Sequence, residues 1–280
     1  MRAVLSVFVV AACGSTPKPR VMPPPPEVVA KQAAPRWPVA MRVMTWTHDG
    51  VVQVGTLPEA PPTQPPATPW YVEPVRPMDD ATFARLVVAM RRERVPGLSL
   101  RGQPVTAAWL AQLVDLDVTA LVLDETDIDA AALAEIQLPL TRLYLARTRV
   151  DDAAMRWVAT HPLEVIDIEG CAVGDVGLAA LAEIATLRAL NASSTRITDA
   201  GGAMLGKLAR LEVVDLGRTE VGIKTIEALA SRALSQLFVD KTRVGKAIAK
   251  LAAMAPTLVR FDASSLSGYR PTDVDVAWLA

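Results

Sequence analysis

Two cysteines and two histidines in 280 residues give no disulfide framework and exclude most Cys/His metal clusters. Aromatic residues are 5% of the chain, so a core drawn from its 51% apolar residues is aliphatic and alanine-rich. Net charge is nearly absent: 29 Lys and Arg stand against 30 Asp and Glu, for −1. That balance argues against a strongly basic nucleic-acid binder. P-loop, GxGxxG, GxSxG and CxxC motifs are missing, as is a D-x-D-x-D-G calcium loop. His48 and His161 stand alone in turn-like contexts. Neither is placed to activate the serine pairs Ser193-Ser194 and Ser264-Ser265. Val4–Ala12 is apolar but only nine residues long, too short to span a bilayer.

Proline is plentiful and unevenly spread. Of 22 prolines, 16 fall in residues 17–77. Proline fixes φ and removes a backbone donor, so the Pro/Ala/Thr-rich stretches 14–35 and 57–77 favour polyproline II and disorder over helix or sheet. They read as a spacer that needs no core. Between them, Met41–Thr47 and Val51–Thr56 are β-prone runs flanking His48-Asp49-Gly50, and Asp-Gly is a strong hairpin signal. A lone hairpin is marginal, so the segment 36–57 is expected to dock, either on its own domain or on a partner.

The first residues, MRAVLSVFVVAAC, carry a cation at Arg2 followed by the apolar stretch and small residues, as a secretory signal does. Val10-Ala11-Ala12-Cys13 resembles the bacterial lipobox. The resemblance implies a chain cut before Cys13, diacylglycerol on its thiol and a lipid-anchored location in the cell envelope. Gly14 rather than Asp follows the cysteine. By resemblance to Gram-negative sorting rules, that favours the outer membrane, facing the periplasm or exposed at the surface.

From residue 95 the chain repeats. The segments LSLRGQPV, LVLDETDI, LYLARTRV, IDIEGCAV, LNASSTRI, VDLGRTEV, LFVDKTRV and FDASSLSG begin at Leu98, Leu121, Leu143, Ile166, Leu190, Val214, Leu237 and Phe261, a period of 22–24 residues. The shared pattern is LxxLxLxxTx(I/V), followed by about ten Ala/Leu-rich residues such as GLAALAEIA (177–185). It resembles the leucine-rich repeat family, whose period is about 20–29 residues, with Thr where that family usually has Asn. Thr195-Arg196-Ile197-Thr198-Asp199-Ala200-Gly201 resembles a bacterial subtype with T-x-(I/V)-T-D-x-G after the strand. The resemblance implies an α/β solenoid of about eight repeats, with a curved parallel sheet on the concave side and short Ala-rich helices on the convex side. The pattern agrees physically: no repeat buries its apolar face alone, so the repeats stack.

Each Thr, and Cys171 in register with them, sits in the turn after a strand; the Thr hydroxyls are expected to bond freed backbone groups there. Cys171 reads as a small buried filler rather than a nucleophile. Asp79 or Asp80 is placed to cap a helix running to about Arg92 with Phe83, Leu86, Val87 and Met90 on one face. The expected organisation is a signal over 1–12, a Pro-rich tether over 13–77 with the hairpin 36–57, a capping helix over 78–95 and repeats with a C-terminal cap over 96–280.

Side chains alternate along a strand, so residues beside the inward leucines face the concave surface. These include Asp124, Tyr144, Asp167, Glu169, Asn191, Asp215, Phe238, Asp240 and Asp262, together with Ser99, Arg101, Val122 and Ala146. Six carboxylates against Arg101 make that face acidic, with Tyr144 and Phe238 as exposed aromatics. The adjoining stripe (Glu125, Asp127 and Glu220 against Arg147, Arg149, Arg196, Arg218, Lys241 and Arg243) makes a basic rim. The functional expectation is a lipid-anchored envelope module whose concave face binds a basic protein or peptide. It acts as a monomer, without cofactor, metal or nucleic acid. The alternative is a structural spacer with no dedicated ligand. An enzyme comes third, on Asp167 and Glu169 as a carboxylate pair about 7 Å apart.

Overall fold

The computed structural model describes residues 37–47, 50–58, 69–254, 257–263 and 266. Cys13, the signal, the spacer 14–35, the turn residues His48 and Asp49, and the cap expected over 267–280 lie outside the described residues. Among the described residues no helix is long and apolar enough to cross a membrane.

The repeats build the leucine-rich-repeat solenoid that their pattern implies. Each gives one three-residue strand: β4 (Gly97–Ser99), β5 (Ala120–Val122), β6 (Arg142–Tyr144), β7 (Val165–Asp167), β8 (Ala189–Asn191), β9 (Val213–Asp215), β10 (Gln236–Phe238) and β11 (Arg260–Asp262). They pair in parallel in chain order. Every central residue, from Leu98 to Leu237, points inward and is essentially fully buried, as is the residue two further on, from Leu100 to Val239. A fully buried Leu or Ile side chain stabilises by about 1.5–3 kcal/mol, and adjacent repeats share that burial.

In the repeats from β4 to β10 the second half is a short helix against this core. Among them are helices Ala107–Ala111, Asp152–Val158, Asp175–Leu181 and Ile223–Leu229. The stretch Gly245–Met254 is a 3-10 helix. The cap helix α1 (Asp80–Glu93) starts where its sequence signal lies, with the Asp79 side chain accepting the Thr82 N–H at 2.7 Å. Its Phe83 ring stacks on Trp109 at 4.2 Å, closing that end of the core.

The Thr positions act as expected. Thr126, Thr148, Thr195, Thr219 and Thr242 are buried, and each hydroxyl donates to the carbonyl three residues back at 2.6–2.7 Å. In the same register Cys171 is buried and its thiol donates to the Leu145 carbonyl at 3.0 Å. Burial pushes the thiol pKa up, as suits an inert filler.

A second set of cross-links was not apparent from the sequence. Asp152, Asp175 and Asp199 each reach from a helix start to the next repeat. Asp199 Oδ1 accepts the Gly222 N–H and Thr225 N–H, both at 2.8 Å, and the Thr225 hydroxyl; its Oδ2 accepts the Lys224 N–H at 3.0 Å. Burial acts to raise its pKa, but these bonds outweigh it and hold the carboxyl below its ordinary value.

The N-terminal segment differs from the tether reading. β1 (Met41–Thr47) and β2 (Gly50–Leu57) form the antiparallel hairpin, and 57–77, read from its prolines as spacer, contains β3 (Trp70–Pro74). β1 pairs with β3, and β3 adds in parallel to β4 through Val72 and Leu98, so a single sheet runs to 11 strands. Trp37, Met41, Val43, Tyr71, Val72 and Met78 are buried there. The prolines permit this because Pro69 and Pro74 flank or end the strand, where a missing N–H costs little. Gly97 is required at the junction: a Cβ there would sit 2.7 Å from the Trp70 carbonyl and from Tyr71 Cβ.

Candidate binding surface

Two rows of outward side chains run along the repeat sheet in strict register. One is Ser99, Val122, Tyr144, Asp167, Asn191, Asp215, Phe238 and Asp262. The other precedes the inward residue and was missed in the sequence: Arg142, Val165, Ala189, Val213, Gln236 and Arg260. The signal was available, because alternation turns both neighbours of an inward residue to the same face. From β7 to β9 the concave face is thus an apolar stripe, Val165, Ala189 and Val213, beside a polar one, Asp167, Asn191 and Asp215, all partly buried. Arg260 closes the far end with its guanidinium 5.9 Å over the Phe238 ring.

The carboxylates have structural as well as surface roles. Asp167 Oδ1 accepts the Glu169 N–H and Asp215 Oδ1 the Gly217 N–H, both at 2.9 Å. Asn191 accepts the Ser193 N–H at 3.1 Å in the same way and donates to Asp167 Oδ2 at 3.1 Å. Asp124 instead accepts the Ala146 N–H of the next repeat at 2.9 Å. Glu169 is not a bare carboxylate, since Arg147 pairs with it at 3.1 Å. No cation pairs with Asp167, Asp215 or Asp240 among the described residues. Burial, with Asp124 and Glu169 adding their charge, pushes the Asp167 carboxyl up to about 6 against its hydrogen bonds. Burial also raises Asp124 and Asp215, the latter with Asp240, Glu169 and Asp262 adding to it. Asp167, Asp215 and Asp240 therefore crowd like charge together that no cation among the described residues neutralises. Among the described residues no three His, Cys, Asp or Glu side chains gather as a metal site.

The row's first members are not solvent-facing. Ser99 is fully buried and donates to Glu73 of β3 at 2.9 Å, and Val122 and Ala146 are buried. Tyr144 is no exposed anchor either: its ring stacks on Trp46 of β1 at 5.6 Å, and Trp46 also meets Tyr71 at 4.5 Å. Burial pushes the Tyr144 hydroxyl up to about 12. β3, β4 and β5 lie between β1 and β6 in the sheet. At a strand spacing of about 4.8 Å, a flat sheet would hold β1 and β6 about 19 Å apart. The ring contact therefore requires the N-terminal end of the sheet to roll over the concave face. Under it lies a cavity of about 600 Å³, walled by Trp46, Tyr71, Tyr144 and Val122 and edged by Arg42, Glu73, Arg76, Arg101, Asp124 and Glu125. Its charges are mostly paired: Arg42 with Glu73 at 2.9 Å and Arg101 with Glu125 at 2.6 Å.

The adjoining edge also has a regularity that the sequence hid. The fourth residue after each inward strand residue is left-handed: Gly102, Glu125, Arg147, Gly170, Ser194, Arg218 and Lys241, with φ from 56° to 68°. Glycine at two of these positions was the clue. Non-glycine residues at the other five carry a conformational cost.

The Leucine Rich repeat family model matches residues 161–182. No curated protein sequence matches the chain. Among solved structures it is similar to internalin C2 of Listeria monocytogenes, at 20% identity over 70% of this chain and 80% of that one, TM-score 0.51. It is also similar to the internalin inlF of the same organism, at 15% identity over 72% and 75% of the two chains, TM-score 0.51. At such identities the likeness concerns the fold, a leucine-rich-repeat solenoid.

Proposed function

We propose that the protein is a binding module that holds a basic, amphipathic protein segment along the open half of its concave face, from β7 to β11, while lipid on Cys13 keeps it at the cell envelope. The observation that carries this reading is the in-register pair of stripes. Unneutralised Asp167, Asp215 and Asp240 would meet cations, and Val165, Ala189 and Val213 would meet the partner's apolar side chains. Charge complementarity of this kind sets partner choice and association rate, and the apolar stripe supplies desolvated contact. Lipidation is supported by the VAAC segment alone, and an outer-membrane address by Gly14.

The test uses a panel of lysine-bearing amphipathic peptides. Asp167, Asp215 and Asp240 are replaced together by Asn, which at 167 and 215 keeps the turn acceptor as Asn191 does in the same row. Peptides that bind the wild type should lose about tenfold or more in affinity, mainly in association rate, with no loss of thermal stability. Equal binding by the triple variant would reject the concave face and move the site to the convex helices or the 36–57 segment; a panel in which no peptide binds the wild type would favour a spacer without a ligand. Lipid attachment is read separately: the wild type takes up a palmitate analogue in cells and Cys13→Ala does not. An unlabelled wild type would sink the anchor.

A further inference from the structure

We propose that the C-terminal half of the turn edge, on repeats β8 to β10, is a binding site for a phosphate-bearing ligand. A groove of about 650 Å³ lies there, lined by Arg196, Arg218, Lys241 and Arg243 with Glu220 as its one acid. Arg243 pairs with Glu220 at 3.4 Å. No ion pair holds Arg196, Arg218 or Lys241 among the described residues, and all three are exposed.

The same positions in the N-terminal repeats behave differently. There Arg147 bridges Glu125 at 3.6 Å and Glu169 at 3.1 Å, and Arg149 pairs with Asp127 at 3.0 Å. Arg147, Arg218 and Lys241 share the left-handed backbone, with φ 57°, 58° and 56°. Arg147 at least has two carboxylate partners there. Arg218 and Lys241 carry the same backbone with no carboxylate, and they are neighbours in register besides, since the Arg218 N–H donates to the Asp240 carbonyl at 2.8 Å. Selection for stability alone would place glycine there, as at Gly102 and Gly170. Two destabilising terms, strain and like-charge repulsion, fall on the same two residues; an anion lying across both turns would relieve the second.

The backbone holds the cations ready. The Ser194 N–H donates to the Gly217 carbonyl at 2.8 Å, and the Glu220 and Arg243 N–H groups donate to the Ile197 and Val221 carbonyls at 2.9 Å. Successive turns are thereby fixed at sheet spacing, about 4.8 Å, a separation that two linked phosphoryl groups can span. Guanidinium forks match phosphate oxygens two at a time, and a lysine adds a point charge. Among the described residues no aromatic side chain lines the groove, so charge rather than stacking recognises the ligand.

The experiment titrates the protein with inorganic pyrophosphate at low ionic strength by calorimetry. Vesicles of phosphatidylcholine with and without phosphatidylglycerol are run in parallel. Saturable pyrophosphate binding is expected, weakening as salt rises. The double variant Arg218→Gln, Lys241→Gln should lower affinity about tenfold or more. So should Arg218→Gly, Lys241→Gly, which relaxes the left-handed turns and so cannot fail through backbone strain. Arg149→Gln, on the paired half of the same edge, should leave affinity within about twofold, because an exposed ion pair contributes little. Pyrophosphate binding without vesicle binding assigns the site to a soluble phosphate ester. Binding of both, lost together in the double variants, assigns it to lipid headgroups. The proposal falls if neither probe binds, if both double variants bind like wild type, or if Arg149→Gln costs as much as they do. The Asp167, Asp215 and Asp240 triple variant keeps pyrophosphate binding, so failure of the concave-face reading is told apart from failure of this one.

Discussion

The two halves of the solenoid share one fold and treat their surfaces in opposite ways. Over β4 to β6 the concave face lies beneath β1 and β3, Tyr144 sits under Trp46, and the edge charges cancel as Arg101, Glu125, Arg147 and Glu169 pair in a chain. Over β7 to β10, among the described residues, Asp167, Asp215 and Asp240 face outward without cations, and Arg196, Arg218 and Lys241 stand at the edge without anions. Both halves contain ion pairs, Arg243 with Glu220 among them in the second, but only the first links its turn-edge charges into a chain. The difference separates a half whose charges stabilise from a half whose charges are available to something else.

Removal of the N-terminal cover gives the largest expected effect. A chain beginning at residue 78 loses the buried Trp37, Met41, Val43, Tyr71 and Val72 and uncovers Leu98. At about 1.5–3 kcal/mol for each large side chain, stability should fall by about 5 kcal/mol or more. Urea unfolding of the two chains checks this; an unchanged midpoint would make the hairpin an accessory rather than part of the folded unit.

A smaller effect, of opposite sign, is expected on the open half. Because the folded state raises the Asp167 carboxyl to about 6, it favours the protonated form. The associated stability is fully present below the unfolded value of about 3.9 and is lost as pH rises through about 6. Asp167→Asn should therefore raise stability at pH 8, by about 1–2 kcal/mol after allowance for solvent screening, and change little at pH 4. Melting curves at the two pH values decide it, and a variant less stable at pH 8 would show that the carboxylate is compensated after all.

The smallest effect compares Arg218→Gly with Arg147→Gly. Both relieve a left-handed φ, which costs a non-glycine residue about 1–2 kcal/mol. Only Arg147 loses ion pairs, so Arg218→Gly should stabilise and Arg147→Gly should come out near neutral. Equal shifts would remove the contrast between the two edges.

Much of the repeat architecture was legible because it depends on period and alternation. The phase of Leu98, Leu121 and Leu143, the turn role of Thr126 through Thr242 and the Asp79 cap all follow from local pattern. What escaped depended on contacts between distant segments. Nothing local in Trp46 names Tyr144, 98 positions on, and the prolines around Trp70–Pro74 hid a strand that pairs with β1 on one side and with the edge of β4 on the other. The left-handed positions escaped because five of seven are not glycine. The row from Arg142 to Arg260 escaped because one neighbour of each inward residue was read and the other was not. Asp124 was placed on the right face, but its bond to the following repeat was not visible in the sequence.

The placement of β1 has a mechanical consequence. The chain enters the described fold at Trp37 and runs at once into the strand that β2 and β3 flank on either side, with Met41 registered against both Leu57 and Pro74. Tension arriving from the preceding residues therefore loads two ladders of hydrogen bonds at once, along their length. A strand at the outer edge would peel away one bond at a time; a strand between two others must shear on both sides together. The hairpin thus gives the first strand of the described fold a hydrogen-bonded neighbour on both sides, so a pull on its N-terminal end is shared between them.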